Sequence, residues 1–279
     1  MANIRTTQKE HFTSIKSFLE TISSRKNNAV MAGKTSSVTG SADFTGTKNY
    51  QEAVDLMLNG WDKILPDIKK GFEAAIKSNE NGAIDRRRTY NSVVGYAPHV
   101  PNSIIGLPQS MINQHREPQK VKVCSIVYAP DANAYTDANT FVKAGIVVLQ
   151  IVNQLELNGQ RVRLMLTPMD SFKNSTFVCC TIDVKSYHEQ LDLKKLTFPI
   201  ANASFLRRFG FKWLETYPEL IESGFAAGYG RTISDEDDHK ADLVKGGIIR
   251  DTDYFLSLGQ IERLGFDVNK VMEKAGISK

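Results

Sequence analysis

The sequence predicts an α/β chain built on a doubly wound, mostly parallel sheet with helical N- and C-terminal extensions, and three observations predict it. Val121, Val123 and residues 125–128 make a short run rich in β-branched residues that Ala129-Pro130-Asp131-Ala132-Asn133 closes as a turn, the outline of a buried strand. From Asp137 the pattern turns helical and apolar around nearly the whole circumference, through Phe141, Ala144, Val148, Ile151 and Leu155, until Asn158-Gly159 supplies a stop. Val162, Leu164 and Leu166 then alternate with Arg161, Arg163 and Met165, so a second strand follows. Such a β-α-β unit implies parallel strands and a crevice beyond the carboxyl end of the first of them.

The other elements follow in chain order. Residues 5–23 predict one amphipathic helix, because Phe12, Ile15, Phe18, Leu19 and Ile22 recur at helical spacing, and Phe12, Phe18 and Leu19 make it a candidate docking helix. Residues 23–46 are rich in Ser, Thr, Asn and Gly and read as a linker. Asn49 and Glu52 have the spacing of a capping box ahead of a helix that Gly60 closes. Pro66 then opens another, with Ile68, Phe72, Ala75 and Ile76 on one face.

Arg86, Arg87 and Arg88 precede a candidate strand carrying Tyr90, Val93, Val94 and Tyr96, and a loop stiffened by Pro98 and Pro101 leads on to Ile104 and Ile105. Beyond the central unit the sequence predicts a turn at 170–175, a third strand at 177–184, and a helix at 205–217 with Gly210 as a kink. Gly224, Gly228 and Gly230 form a glycine-rich loop without the lysine or the order of a phosphate-binding motif. Asp235, Glu236, Asp237, Asp238 and His239 read as an exposed acidic loop, because the alternation of a calcium loop is missing and only one nitrogen ligand is on offer. Two helices, 252–264 and 268–275, close the chain around Gly265. The organisation expected is therefore an N-terminal helix and linker at 1–44, an α/β core at 45–230, and an acidic loop with C-terminal helices at 231–279.

Composition sets outer bounds. A chain of 279 residues with 41% hydrophobic content can bury a core of ordinary size, and a net charge of +4 is too mild to argue for a nucleic acid or a membrane. Cys124, Cys179 and Cys180 lie in strand-like runs without CxxC spacing, which suits a reducing cytoplasm. Neither an apolar signal core at the N-terminus nor an uninterrupted apolar run of membrane-spanning length is present, so no membrane is expected.

Gly60-Trp61, residues 104–108 (Ile-Ile-Gly-Leu-Pro), the β-α-β unit with residues 155–162 (Leu-Glu-Leu-Asn-Gly-Gln-Arg-Val), and residues 205–211 (Phe-Leu-Arg-Arg-Phe-Gly-Phe) carry a resemblance. Over about residues 45–230 the chain resembles an uncharacterised protein family of bacteriophages and prophages whose core is similar to a von Willebrand factor A domain. The resemblance implies a crevice after the first strand where that domain places an Asp-x-Ser-x-Ser metal site. Here the stretch is Asp131-Ala132-Asn133-Ala134-Tyr135, followed by Asp137. Both serines are missing, so the expectation is a degenerate interaction crevice at Asp131, Asn133 and Asp137 that holds neither metal nor cofactor. Asp131 as a turn residue and Asp137 as a helix cap are the plainer roles for the same side chains.

The five histidines are scattered, with no HExxH and no serine elbow, and no catalytic residues are expected. The function expected is non-catalytic: self-assembly or binding of a protein partner, in the cytoplasm of an infected bacterial host or in association with the virion. The second expectation is a nucleic-acid-binding phage protein that sets Arg86, Arg87, Arg88, Arg161, Arg163, Arg207 and Arg208 against phosphates, with Tyr90 and Tyr96 for stacking.

Overall fold

A computed structural model describes residues 6–25, 36–78, 87–116, 122–173, 176–216 and 232–277. Where one N-terminal helix is expected, the chain makes a strand, β1 (Thr6–Phe12), and a helix, α1 (Ile15–Ser24). Ser14 divides them by accepting the N–H of Ser17 on its hydroxyl at 3.1 Å. Two single turns, α2 (Ser36–Thr39) and α3 (Ala42–Thr45), lead to α4 (Tyr50–Asn59) and α5 (Leu65–Ser78). The predicted caps of α4 are present: Asn49 Oδ1 accepts from Glu52 N at 2.8 Å, and Gly60 ends the helix at φ +92°.

An arm comes next, made of β2 (Arg87–Ser92), β3 (Ala97–Pro98), α6 (Val100–Ile104) and β4 (Met111–Arg116). The central unit then appears as the sequence predicts, with β5 (Val123–Ala129), α7 (Ala138–Leu157) and β6 (Arg161–Lys173). β6 runs through most of the expected turn at 170–175 and pairs with β7 (Thr176–Lys185) as an antiparallel hairpin. α8 (Leu193–Ala201), a π-helix (Phe205–Gly210) and α9 (Phe211–Glu215) follow. After them come α10 (Glu236–Lys245), β8 (Tyr254–Ser257), α11 (Leu258–Arg263) and α12 (Val268–Lys274). The glycine-rich stretch at 224–230 lies outside the described residues.

The main sheet has the order β1-β7-β6-β5-β8, and every neighbouring pair is parallel except β6 with β7. The fold is thus mixed α/β with a mostly parallel five-stranded sheet. The terminal segments, expected as helical extensions, supply its two edge strands. Hydrophobic spacing misleads here because Phe12 on β1 and Phe18, Leu19 and Ile22 on α1 all face one core, so a strand and a helix together mimic a single helical stripe.

Alternation along β5 and β6 splits the core between the two faces of the sheet. Ile126, Tyr128, Leu164 and Leu166 pack with α7, α8 and the π-helix in the larger cluster, while Val127 and Met165 pack with Leu243, Ile249 and Phe255 on the other side. α7 is long and apolar enough by length and composition to cross a membrane, but nine of its residues are buried against the sheet and neighbouring helices, which makes it a core helix. Phe12, Phe18 and Leu19 are buried too, so they are core residues and not a docking face.

Candidate functional site

Because β6 and β8 flank β5 on opposite sides, the connections diverge at the carboxyl end of β5, where an open α/β sheet leaves a crevice. Asp131 stands there, and its carboxylate is already engaged. Oδ2 accepts the N–H of Ile233 at 2.7 Å and Oδ1 that of Gly259 at 3.2 Å. Gly259 permits this approach, since a Cβ on it would fall 3.1 Å from Asp131 Oδ2. Beside them Ser257 opens α11, accepting from Gln260 N at 2.9 Å while its hydroxyl donates to Glu236 Oε1 at 3.1 Å, and Arg263 forms an ion pair with the same carboxylate. Glu236 belongs to the first turn of α10, which Asp235 caps by accepting from Asp237 N and Asp238 N. The acidic stretch expected as a loop is therefore a helix N-terminus, where acidic side chains offset the unpaired amides and the dipole.

The other two predicted crevice residues serve the local chain. Asn133 Oδ1 accepts from Tyr135 N at 2.8 Å and from the Thr136 hydroxyl at 3.2 Å, holding a turn. Asp137 occupies the N-cap position of α7 without a side-chain capping bond and is exposed. Of the three, Asp131 is the one that ties β5 to β8, through backbone amides.

Arg207 and Arg208, expected to face phosphates, are buried instead. The Arg207 guanidinium lies 4.1 Å from the Phe44 ring centroid and 5.1 Å from that of Phe141, and it donates to the carbonyls of Asn133 at 3.1 Å and Thr136 at 2.6 Å. It thereby pins the loop after β5. Burial pushes its pKa down to about 10, with the nearby Asp137 charge opposing the shift. Arg208 gathers the segment around α2 and α3, donating to Thr47 Oγ1 at 2.7 Å, Ser37 O at 3.0 Å, Thr45 Oγ1 at 2.9 Å and Thr47 O at 2.8 Å. Every residue of the π-helix is buried, which a charged Arg-Arg pair in the sequence does not suggest.

On the opposite face of the sheet a groove of about 420 Å³ carries a polar network that sequence reasoning missed. Arg163 grips Asp183 through two bonds of 3.0 and 2.9 Å, and His11 bonds Thr181 Oγ1 at 3.0 Å with its other ring nitrogen 3.5 Å from Asp183. Arg250 donates to Ser125 Oγ at 3.1 Å and Tyr187 OH at 3.2 Å, and pairs with Asp253. The grouping of Thr181, His11 and Asp183 has the residue types of a nucleophile, base and acid. Thr181 is buried, however, and is the direct cross-strand partner of His11, so strand register accounts for the contact. The Cys124 and Cys180 thiols are weak nucleophiles as well: burial, with Glu156 nearby, pushes Cys124 up to about 11, and burial raises Cys180 well above the ordinary thiol range.

Among the described residues the arm stands apart. β2, β4 and β3 pair only with one another, none of the arm's described side chains is buried, and none belongs to either core cluster. Tyr90 and Tyr96 are exposed on it, as are Val93, Val94, Ile104 and Ile105. Arg87 and Arg88 begin β2, paired in register with Arg116 and His115; Arg86 lies outside the described residues.

No curated protein and no solved structure matches the chain. Residues 2–279 match a family described as a domain of unknown function, DUF7192. That match takes in the sheet, the buried arginines and the arm alike, and the chain belongs to the DUF7192 family.

Proposed function

We propose that this is a phage-type, non-catalytic interaction or assembly protein built on a von Willebrand factor A-like domain, and that it makes its contacts through the arm. The observation that carries the reading is the arm itself, which exposes large apolar side chains where an isolated soluble sheet would bury them. Support for the domain likeness comes from the strand order. β7-β6-β5-β8 follows the 3-2-1-4 sequence of a doubly wound sheet, while the antiparallel β7 departs from the usual pattern by lying inside the sheet, with β1 on its outer side. The crevice at Asp131 favours a structural role over ion binding, since both carboxylate oxygens accept backbone N–H groups.

Affinity purification of the tagged full chain from infected cells, followed by sizing, tests the reading. The expected result is a defined complex with itself or with a specific protein, lost when Val94 and Ile104 are replaced by Asp. A chain that stays monomeric, recovers no protein, and binds single-stranded nucleic acid with steep salt dependence through Arg87 and Arg88 would replace it with the nucleic-acid reading.

A further inference from the structure

We infer that the tip of the arm is a two-fold interface on which a second copy of this chain sits; the inference deepens the interaction reading and rests on it. The strands β2 and β4 run from a base, where Arg87 pairs with Arg116, to a tip that begins where Ser92 pairs with Met111. Residues 93–110 fill that tip and include no Asp, Glu, Lys or Arg. Within it Val93, Val94, Tyr96, Val100, Ile104 and Ile105 are each 59–79% exposed.

The tip is also held rigid by its own hydrogen bonds. His99 N donates to Ser110 O at 2.7 Å, Ser103 N to His99 O at 3.0 Å and Leu107 N to Asn102 O at 2.9 Å, while the Asn102 side chain donates to Gln109 O at 2.9 Å. Pro98 and Pro101 flank His99 and fix their own φ angles. These bonds and the two prolines hold the tip in one shape, so its exposed apolar side chains form a fixed surface that an apolar partner can cover.

Area and charge select a second copy as the cover. Six side chains of this size at this exposure offer on the order of 800 Å², about what one partner contributes to a standard interface. An uncharged tip meets its own copy without like-charge repulsion, and the arginines at the base stay about 20 Å away along six-residue strands, roughly two Debye lengths at physiological salt. The same separation weighs against a membrane surface. A knob inserted about 5–10 Å into the headgroup boundary would leave those arginines above the lipid. Contact through one patch on both copies gives a closed, isologous dimer.

Sedimentation equilibrium of the full chain over a wide concentration range is the test. The wild-type chain is expected at twice its 31.1 kDa mass, and the Ile104→Asp, Ile105→Asp double variant is expected to dissociate about a hundredfold more readily with an unchanged circular dichroism spectrum and melt. A single Ile104→Cys substitution should cross-link two copies on mild oxidation. A wild-type monomer, or a dimer that both variants leave untouched and uncross-linked, overturns the inference. So does a monomer that binds vesicles of phosphatidylcholine and phosphatidylserine through the same residues. If the monomeric chain still recovers a specific protein from infected cells, the dimer falls and the broader interaction reading stands.

Discussion

Gly145 of α7 lies so close to Ala201 of α8 that a Cβ built on it would fall 2.4 Å from the alanine Cβ and 2.6 Å from its Cα. The two helices cross at backbone distance, and a side chain at 145 must push them apart. Gly145→Val is expected to cost about 3 kcal/mol, the upper range for overpacking, and to lower the melting temperature by roughly 6–12 °C for a chain of this size. Thermal unfolding followed by circular dichroism reads the shift; an unchanged melt would mean that the helices separate at no cost.

Arg208 serves at least four acceptors between residues 37 and 47 with one planar fork. A lysine ammonium has three donors on a single atom and cannot reach acceptors spread around a guanidinium. Arg208→Lys is expected to destabilise by about 2–4 kcal/mol despite keeping the charge, because buried carbonyls and hydroxyls lose their partner. Arg161→Lys at an exposed position should stay within about 0.5 kcal/mol. Urea titrations of the two variants check the contrast.

Asp131 can be separated from a metal ligand by its response to cations. Asp131→Asn leaves one acceptor for two backbone N–H groups and is expected to cost about 1–3 kcal/mol. Melts of the wild-type chain in magnesium, calcium or EDTA should coincide, since a cation present at a hundred times its dissociation constant would add about 2.7 kcal/mol. A large cation-dependent rise that Asp131→Asn abolishes would return the crevice to metal binding.

The Cys124 thiol predicts a pH dependence. Its folded pKa of about 11 exceeds the ordinary 9.0, so the unfolded chain ionises first as pH rises. The stability this thiol contributes is complete below pH 9.0 and is lost as pH climbs towards 11. Denaturant titrations across that window should fall more steeply for the wild-type chain than for Cys124→Ala, and alkylation of Cys124 in the folded chain at neutral pH should be slower than that of an unfolded control.

The parts legible in the sequence are those where one periodicity runs unbroken. β5, α7 and β6 declare themselves because α7 is buried along nine positions and Gly159 follows its end at φ +78°. The sequence conceals β8: Tyr254, Phe255 and Leu256 join Ile261 and Leu264 in a stripe that looks helical, although Ser257 marks the true helix start by accepting from Gln260 N. The acidic run at 235–238 is a helix N-terminus, and its charge invites the reading of a solvated loop. Of the three expected crevice residues only Asp131 reaches across to β8, because its partners, the amides of residues 233 and 259, come from chain more than a hundred residues away. Arg207 and Arg208 read as surface charge for a related reason: the carbonyls and hydroxyls they satisfy lie 71 to 171 residues distant. The arm's exposed character depends on its failure to contact the core, which no local pattern records.

The pairing of β1 with β7 sets the order in which the molecule can assemble. Thr6 lies beside Thr176 in a parallel ladder, and Glu10 on that strand accepts from Trp213 Nε1 at 2.6 Å. A strand whose hydrogen-bonding partner is some 170 residues downstream cannot dock during early synthesis; β5, α7, β6 and β7 must first collapse and present an edge. Docking of β1 therefore closes a long loop, and a chain in which it has not yet docked presents an open β7 edge. That species, more than the native state, is where this chain is most exposed to aggregation and to chaperone capture.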